Sequence, residues 1–381
     1  MTEKLFYENA YTAEFDARVL VCKAHRDGFE TILDRTAFFP EGGGQRGDAG
    51  KIGDVAVFDT VEREGEILHL SREPVPVGET LPCSIDFATR FERMQCHSGE
   101  HIVSGIVHSL YGFDNVGFHL GDDEMTVDYN GVLDEDDLRR VERLANEAAV
   151  RNTEIRCFFP TKEEAAALAY RSKLEIADGL RLVEIPGVDL CACCAPHVAR
   201  TGEVGVIKLL DTIHYKGGVR IRMLCGLRAL NDYQDKFAAV RGISTALSAK
   251  QDEVEQAVGR LCGALEGAKR DAAALRRALA EQLANGLAET SGKCCIFAPL
   301  LDTDAMRTLA NLAVKKCGVF AVFSGDDTRG YTYVAASEVT DMRGFAKEMN
   351  EALAGRGGGS TQMVCGSVGA HRSAVEEYFK E

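Results

Sequence analysis

Several things are missing from this chain, and each absence narrows what it is. No stretch of its 381 residues approaches the apolar length that a membrane-spanning helix needs. The opening MTEKLFYENAYTAEF lacks the apolar core of a secretion signal. A soluble, cytoplasmic protein with no membrane partner is therefore expected. There is no sequence repeat and no low-complexity tract, and no Asp-His-His triplet occurs anywhere. Positive charge is also in short supply. Lys and Arg total 44 against 59 Asp and Glu, a formal net charge of −15. That balance excludes a general nucleic-acid coat, because binding phosphates requires positive potential, but it leaves room for a confined basic patch.

What is present is a globular balance of 45% hydrophobic and 27% charged residues, over a length that suits two or three domains. The thirteen cysteines are odd in number and diluted in a long chain, with three of them in CACC at 191–194. Free thiols plus a metal site fit that pattern better than a disulfide framework.

The expected fold class is α+β multidomain, in four parts. Residues 1–88 alternate short apolar runs with Gly, Pro and Asp turns, which predicts a small N-terminal β-barrel or sandwich containing FFPEGGGQRGDAG at 38–50. Residues 89–227 mix helices and strands. A buried amphipathic helix is predicted over 91–111, ended by Gly112, with further helices near 134–152 and 162–173. EVGVIKLL and VRIRMLCG read as two strands joined around YKGG. Residues 228–290 are helical. Val254, Val258, Leu261, Leu265, Ala268, Ala272, Leu275 and Leu279 form a heptad-like seam, and glycines at 242, 259, 263 and 267 predict a break or a helix pair. Residues 291–381 form a small α/β domain, with helices over 303–317 and near 341–354, ending in the glycine loop GRGGGS.

The pentapeptide HSGEH at 97–101 fits two patterns. As H-x-x-E-H it is the inverted-zincin motif, in which the glutamate is the base. As H-x-x-x-H only His97 and His101 matter, lying one above the other on a helix face. CACCAPHVARTGEVG at 191–205 bears on the choice, since Cys193 and His197 are also four apart. Two imidazoles, a thiolate and a third imidazole make a zinc-type donor set. Spacing leaves Cys191 and Cys194 open as substitutes. With Cys193 and His197 engaged, the peptidase reading weakens, and Glu100 becomes a solvated helix residue or at most a group behind the ligands.

Taken in order, FFPEGGGQRGD, RMQCHSGEHIVSG, FHLGDDEMTVD, CACCAPHVARTGEVG and RIRMLCGLRAL resemble the long-form AlaX-type alanyl-tRNA editing proteins. These are free-standing relatives of the alanyl-tRNA synthetase editing domain. The resemblance covers almost the whole chain, and GRGGGSTQMVCGS resembles the glycine-rich end of the synthetase C-terminal domain. It implies one zinc ion per chain held by His97, His101, Cys193 and His197. It also implies a pocket involving Glu41, Gly43, Gln45, His119 and Thr126, and hydrolysis of the ester joining serine or glycine to alanine tRNA. No general base is assigned, and zinc would either activate water or grip the substrate amino group. Lys208, Lys216, Arg220, Arg222 and Arg356 are candidate tRNA contacts, and a homodimer through the helical segment or the C-terminal domain fits the pattern. One departure stands out: where the family commonly has Gly-Thr before the last histidine, this chain has Ala195-Pro196, which stiffens the loop.

Rival readings are a non-catalytic, zinc-stabilised tRNA-binding protein and a threonyl-tRNA editing domain, the EGGGQ barrel and glycine-rich tail favouring the alanine system. A phosphoesterase related to the tail domain is disfavoured by the missing Asp-His-His triplet. An aminoacylation core is not expected, because the editing-type motifs begin within the first 50 residues.

Overall fold

The computed structural model describes residues 2–25, 28–121, 125–172 and 179–380. The centre of FHLGDDEMTVD and residue 173 of the helix expected near 162–173 lie outside the described residues. The chain forms two compact units, Met1–Ala239 and Val240–Glu381, and is an α+β protein with several separate sheets.

In the first unit, six strands close into a barrel in the order Glu14–His25, Gly28–Leu33, Glu66–Ser71, Val55–Arg63, Gly50–Ile52 and Thr80–Ile85. Closure follows from alternation. Ala17, Val19, Leu33, Ile52, Val57 and Cys83 point inward and pack on Phe38, while the residues between them face outward.

Asp86 caps the next element by accepting from the Thr89 backbone N–H at 3.2 Å, and helix Phe87–Tyr111 runs from there to Gly112, which adopts φ 69°. This central helix begins four residues earlier than its apolar periodicity predicts, because the capping aspartate rather than the first apolar repeat sets its start. Its apolar face packs against an antiparallel sheet ordered Ile207–Tyr215, Gly218–Cys225, Met125–Tyr129 and Asn115–Leu120, and on helix Glu135–Val150. A three-stranded antiparallel sheet of Arg156–Phe158, Leu182–Ile185 and Asp189–Ala192 carries the cysteine motif. Gly105 lets that sheet approach, since a Cβ there would sit 2.4 Å from the Val188 carbonyl oxygen.

Barrel and central helix are tied by Arg90, which is completely buried and ion-paired with Asp48. The guanidinium also donates to the carbonyls of Ala37 at 2.7 Å and Ala10 at 3.1 Å. Asp48 additionally accepts from the Phe39 N–H at 2.7 Å, so both ends of the loop between them are anchored. Gly42 and Gln45 exchange backbone hydrogen bonds of 3.0 Å around Gly43 and Gly44, both at positive φ, which is a two-residue hairpin turn. A Cβ at Gly44 would meet the Phe118 carbonyl oxygen at 2.6 Å. The glycine therefore allows this loop to lie directly on strand Asn115–Leu120.

In the second unit, five strands are ordered Thr290–Phe297, Cys317–Asp326, Gly330–Ala336, Met363–Val368 and Gly355–Gly359, and the first pair is parallel. Helices Thr303–Ala313 and Met342–Ala352 pack on this sheet.

Several expectations need correction. The helix near 162–173 spans only Lys162–Ala167, since Leu168 turns extended and Arg171 is drawn into a bridge with Cys191. The helix over 303–317 stops at Ala313, because Cys317 already belongs to a strand. GRGGGS is not a loop. Gly355–Gly359 pairs with Met363–Val368, its glycines allowing a close approach that a side chain would block. The helical segment is a pair, Gly226–Leu247 and Val254–Asn285, but the break falls at residues 248–253, where Ser248 has φ 49°, and not at a glycine.

Candidate metal centre

One turn of the central helix places His97 above His101, and the segment after strand Asp189–Ala192 brings Cys193 and His197 to the same point. The four ligand atoms lie within 4.8 Å of one another. Cys193 Sγ is 3.4 Å from His97 Nε2 and 3.4 Å from His197 Nε2. Nitrogen and sulfur bound tetrahedrally to one zinc ion stand about 3.5 Å apart, which these two sulfur–nitrogen distances match.

The other ring nitrogens are held from behind, by groups that spacing does not reveal. His101 Nδ1 is 3.0 Å from Asp189 Oδ2. His97 Nδ1 is 3.2 Å from Gln45 Oε1. Ser98 Oγ lies 3.0 Å from His197 Nδ1 and accepts from the Val198 N–H at 3.2 Å. The acceptor oxygens of Asp189 and Gln45 favour the Nδ1–H tautomer of His101 and His97 and leave their Nε2 lone pairs for a metal, and the Ser98 hydroxyl can accept from His197 in the same way. Asp189 is itself fixed by Arg171 through two hydrogen bonds of 2.8 Å.

The electrostatics agree with that assignment at Cys193 and His197, whereas at His101 burial is outweighed by the hydrogen bonds to Asp189 and Cys193, which hold that ring well above its ordinary value. Burial alone would keep the Cys193 thiol protonated, but His97 and His197 and its hydrogen bonds to His101 and His197 hold it well below its ordinary value. Burial pushes His197 down to about 3, so its ring is neutral. Thiolate and neutral imidazole are the metal-binding forms. Cys191 and Cys194 go the other way, since burial raises both, the latter to about 11. Neither belongs to the four-residue cluster, although Cys191 forms a smaller group with His101 and Asp189.

The cluster opens on a cavity of about 370 Å³ lined by Gly43, Phe118, Asn115, Glu100, Arg171 and Arg181, among others. Of the expected pocket residues, Gly43 lines it, and Gln45 is buried against His97 with no hydrogen-bond partner for its Nε2 among the described residues. Glu41 and His119 are exposed, and Thr126 is buried opposite His119 in the strand pair. None of these three is among the described residues lining the cavity. Of the two readings of Glu100, the solvated one is overturned: it is 4% exposed, which leaves the reading of a group behind the ligands.

The candidate tRNA cations are mostly paired. Lys208 meets Glu142 at 2.9 Å, Arg220 grips Asp128 through 2.6 and 2.8 Å contacts, and Arg222 is bound to Asp211. Lys216 and Arg220 both lie over the Tyr215 ring. Arg356 is exposed on its strand in the second unit.

Comparison with known proteins gives the class first. Residues 180–222, which include Cys193 and His197, match the family described as the threonyl and alanyl tRNA synthetase second additional domain. The particular relatives are narrower. The chain is 28% identical to the alanyl-tRNA editing protein AlaX-L of Pyrococcus horikoshii, across 97% of this chain and 95% of that one. It is 26% identical to the alanyl-tRNA editing protein Aarsd1-A of Xenopus laevis, over 92% of this chain and 87% of the relative. An alanine–tRNA ligase of Halobacterium salinarum is 31% identical over 86% of this chain, which corresponds to 38% of the ligase. The chain is thus a full-length relative of the long-form AlaX-type alanyl-tRNA editing proteins.

Proposed function

We propose that this chain is a zinc-dependent aminoacyl-tRNA hydrolase that removes serine or glycine from wrongly charged alanine tRNA. The convergence of Cys193 with three imidazoles at the head of a cavity is the observation that carries this reading. The full-length similarity to alanyl-tRNA editing proteins supports it. The need is general: a pocket built for alanine admits glycine and rejects the extra hydroxyl of serine poorly, so a second hydrolytic site restores discrimination.

His97, His101, Cys193 and His197 would hold the ion, with Gln45, Asp189 and Ser98 fixing the rings. When bound, zinc supplies positive charge beside the ester, polarising its carbonyl or a water molecule. The chain contributes the rest. Gly43 and Gly44 present bare backbone to the ester, and Phe118 and the cavity walls exclude bulk water. Gln45 Nε2 offers a donor next to His97. An aminoacyl ester is labile, so holding it beside a positioned water provides much of the acceleration. A cytoplasmic location goes with this substrate. A homodimer through the helical segment or the C-terminal domain is a separate proposal, supported for the helical segment by the exposed Leu261, Leu265 and Leu275.

The test is deacylation of seryl-, glycyl- and alanyl-tRNA(Ala) by the native chain and by His97→Ala, with bound zinc quantified. Rapid loss of serine or glycine, sparing of alanine, and failure of the zinc-poor variant are expected. Hydrolysis by a zinc-free variant would defeat the metal's role. Zinc and tRNA binding without any deacylation would favour the non-catalytic reading, which the four-ligand, closed donor set also accommodates.

A further inference from the structure

A substrate of this site would carry the free amino group of an esterified amino acid. That group is an ammonium or close to it at neutral pH, and a cavity that holds it needs a negative counterpart. Glu100 is the one carboxylate among the described residues lining the cavity.

Its surroundings are unusual for a structural glutamate. The side chain is 4% exposed, yet no Lys or Arg is ion-paired with it among the described residues. Among the described residues its two hydrogen bonds, from Ser104 Oγ and Asn115 Nδ2, fall on the same oxygen, Oε1. Ser104 is braced in turn by the Tyr129 hydroxyl at 2.8 Å. The other oxygen, Oε2, accepts no hydrogen bond among the described residues. The cavity's two arginines are committed elsewhere, Arg171 to Asp189 and Arg181 to the carbonyls of Cys193 and Ala195 at 2.9 Å. Burying a carboxylate without a cation is costly, and a cationic ligand offsets that cost. If Glu100 only tied the helix to strand Asn115–Leu120, a glutamine would serve, because its amide oxygen accepts the same two donors.

We infer that the Glu100 carboxylate is the seat of the substrate's α-ammonium group, orienting the aminoacyl ester beside the ligand cluster. This rests on the proposed function and names the group that recognises a free aminoacyl ester rather than an amine-blocked or amine-free one.

The experiment compares two esters of tRNA(Ala): seryl, and its 2-hydroxy analogue, in which an uncharged hydroxyl replaces the ammonium. The native chain should prefer the seryl ester in kcat/KM by about tenfold or more, mainly through KM, as expected for a desolvated charge pair. Glu100→Gln should lose most of that preference while its rate on the hydroxy ester stays within about threefold of native. Bound zinc per chain should be unchanged, and Glu100→Asp should recover part of the preference. Equal loss on both esters, a preference that survives in Glu100→Gln, or no preference in the native chain would each overturn the inference. If Glu100→Gln fails to fold, Glu100→Asp carries the test, and an undiminished preference there would overturn the inference. A native chain that hydrolyses neither seryl nor glycyl ester would instead remove the proposed function, and this inference with it.

Discussion

The ligand cluster and the hairpin Ile207–Cys225 are both built from ionisable side chains, but their partners are arranged in opposite ways. In the cluster, each imidazole is held from behind through Nδ1, and the Nε2 and Sγ atoms face one another across a shared point. In the hairpin, the cations are matched to carboxylates at close range, Lys208 to Glu142 and Arg222 to Asp211. One region keeps its binding capacity for a third party, and the other has largely satisfied it within the chain. Counting charged residues does not separate the two; the partners do.

Removing a ligand should break the comparison most severely. Cys193→Ala should lose the metal and lower deacylation by about a thousandfold or more, since several kcal/mol of charge stabilisation go with the ion. Metal content and single-turnover rates check this.

A buried histidine of the barrel gives a contrasting case, because it is held entirely by neutral groups. His69 contacts Thr36 Oγ1 at 2.8 Å and the Thr31 carbonyl at 2.9 Å. Burial lowers it from 6.5 to about 4, opposed by the Thr31 hydrogen bond. The unfolded chain therefore takes up this proton first as pH falls. The stability contribution is complete above about pH 6.5 and is lost as pH drops toward 4, by about 3 kcal/mol. Denaturant titrations across that window should show the slope, and His69→Gln should flatten it.

Asp189→Asn sharpens the picture of the cluster itself. Weakening the partner of His101 while keeping all four ligands should reduce metal affinity by about 10- to 100-fold, measurable by chelator competition. An unchanged affinity would mean the ring needs no support.

The hairpin should give the smallest effect. Arg222→Ala should change tRNA affinity by about threefold or less, because exposed paired charges contribute little. Asp211→Asn, which removes this carboxylate charge, should steepen the salt dependence by at most about one phosphate contact. Filter binding across salt concentrations tests both, and a tenfold loss in Arg222→Ala would contradict the pairing argument.

What sequence reveals here follows the range of the interaction. Two histidines four apart on an amphipathic helix converge by helix geometry alone, so His97 and His101 are legible from spacing. Joining them to Cys193 rather than Cys191 or Cys194 depends on where strand Asp189–Ala192 ends, and spacing leaves that choice open. Asp189 and Ser98 carry no sequence signal as ring partners, since each finds its histidine only after distant segments pack. Glu100 is ambiguous for the same reason: a charged residue on a helix reads as solvated or as a group behind the ligands until packing buries it. GRGGGS reads as a loop from its composition, yet edge pairing with Met363–Val368 makes it a strand.

The central claim is tested most directly by X-ray absorption at the zinc edge of the purified chain. One sulfur and three imidazole nitrogens around a single ion are expected. A second sulfur, an oxygen-only shell, or a chain that binds no zinc would contradict it.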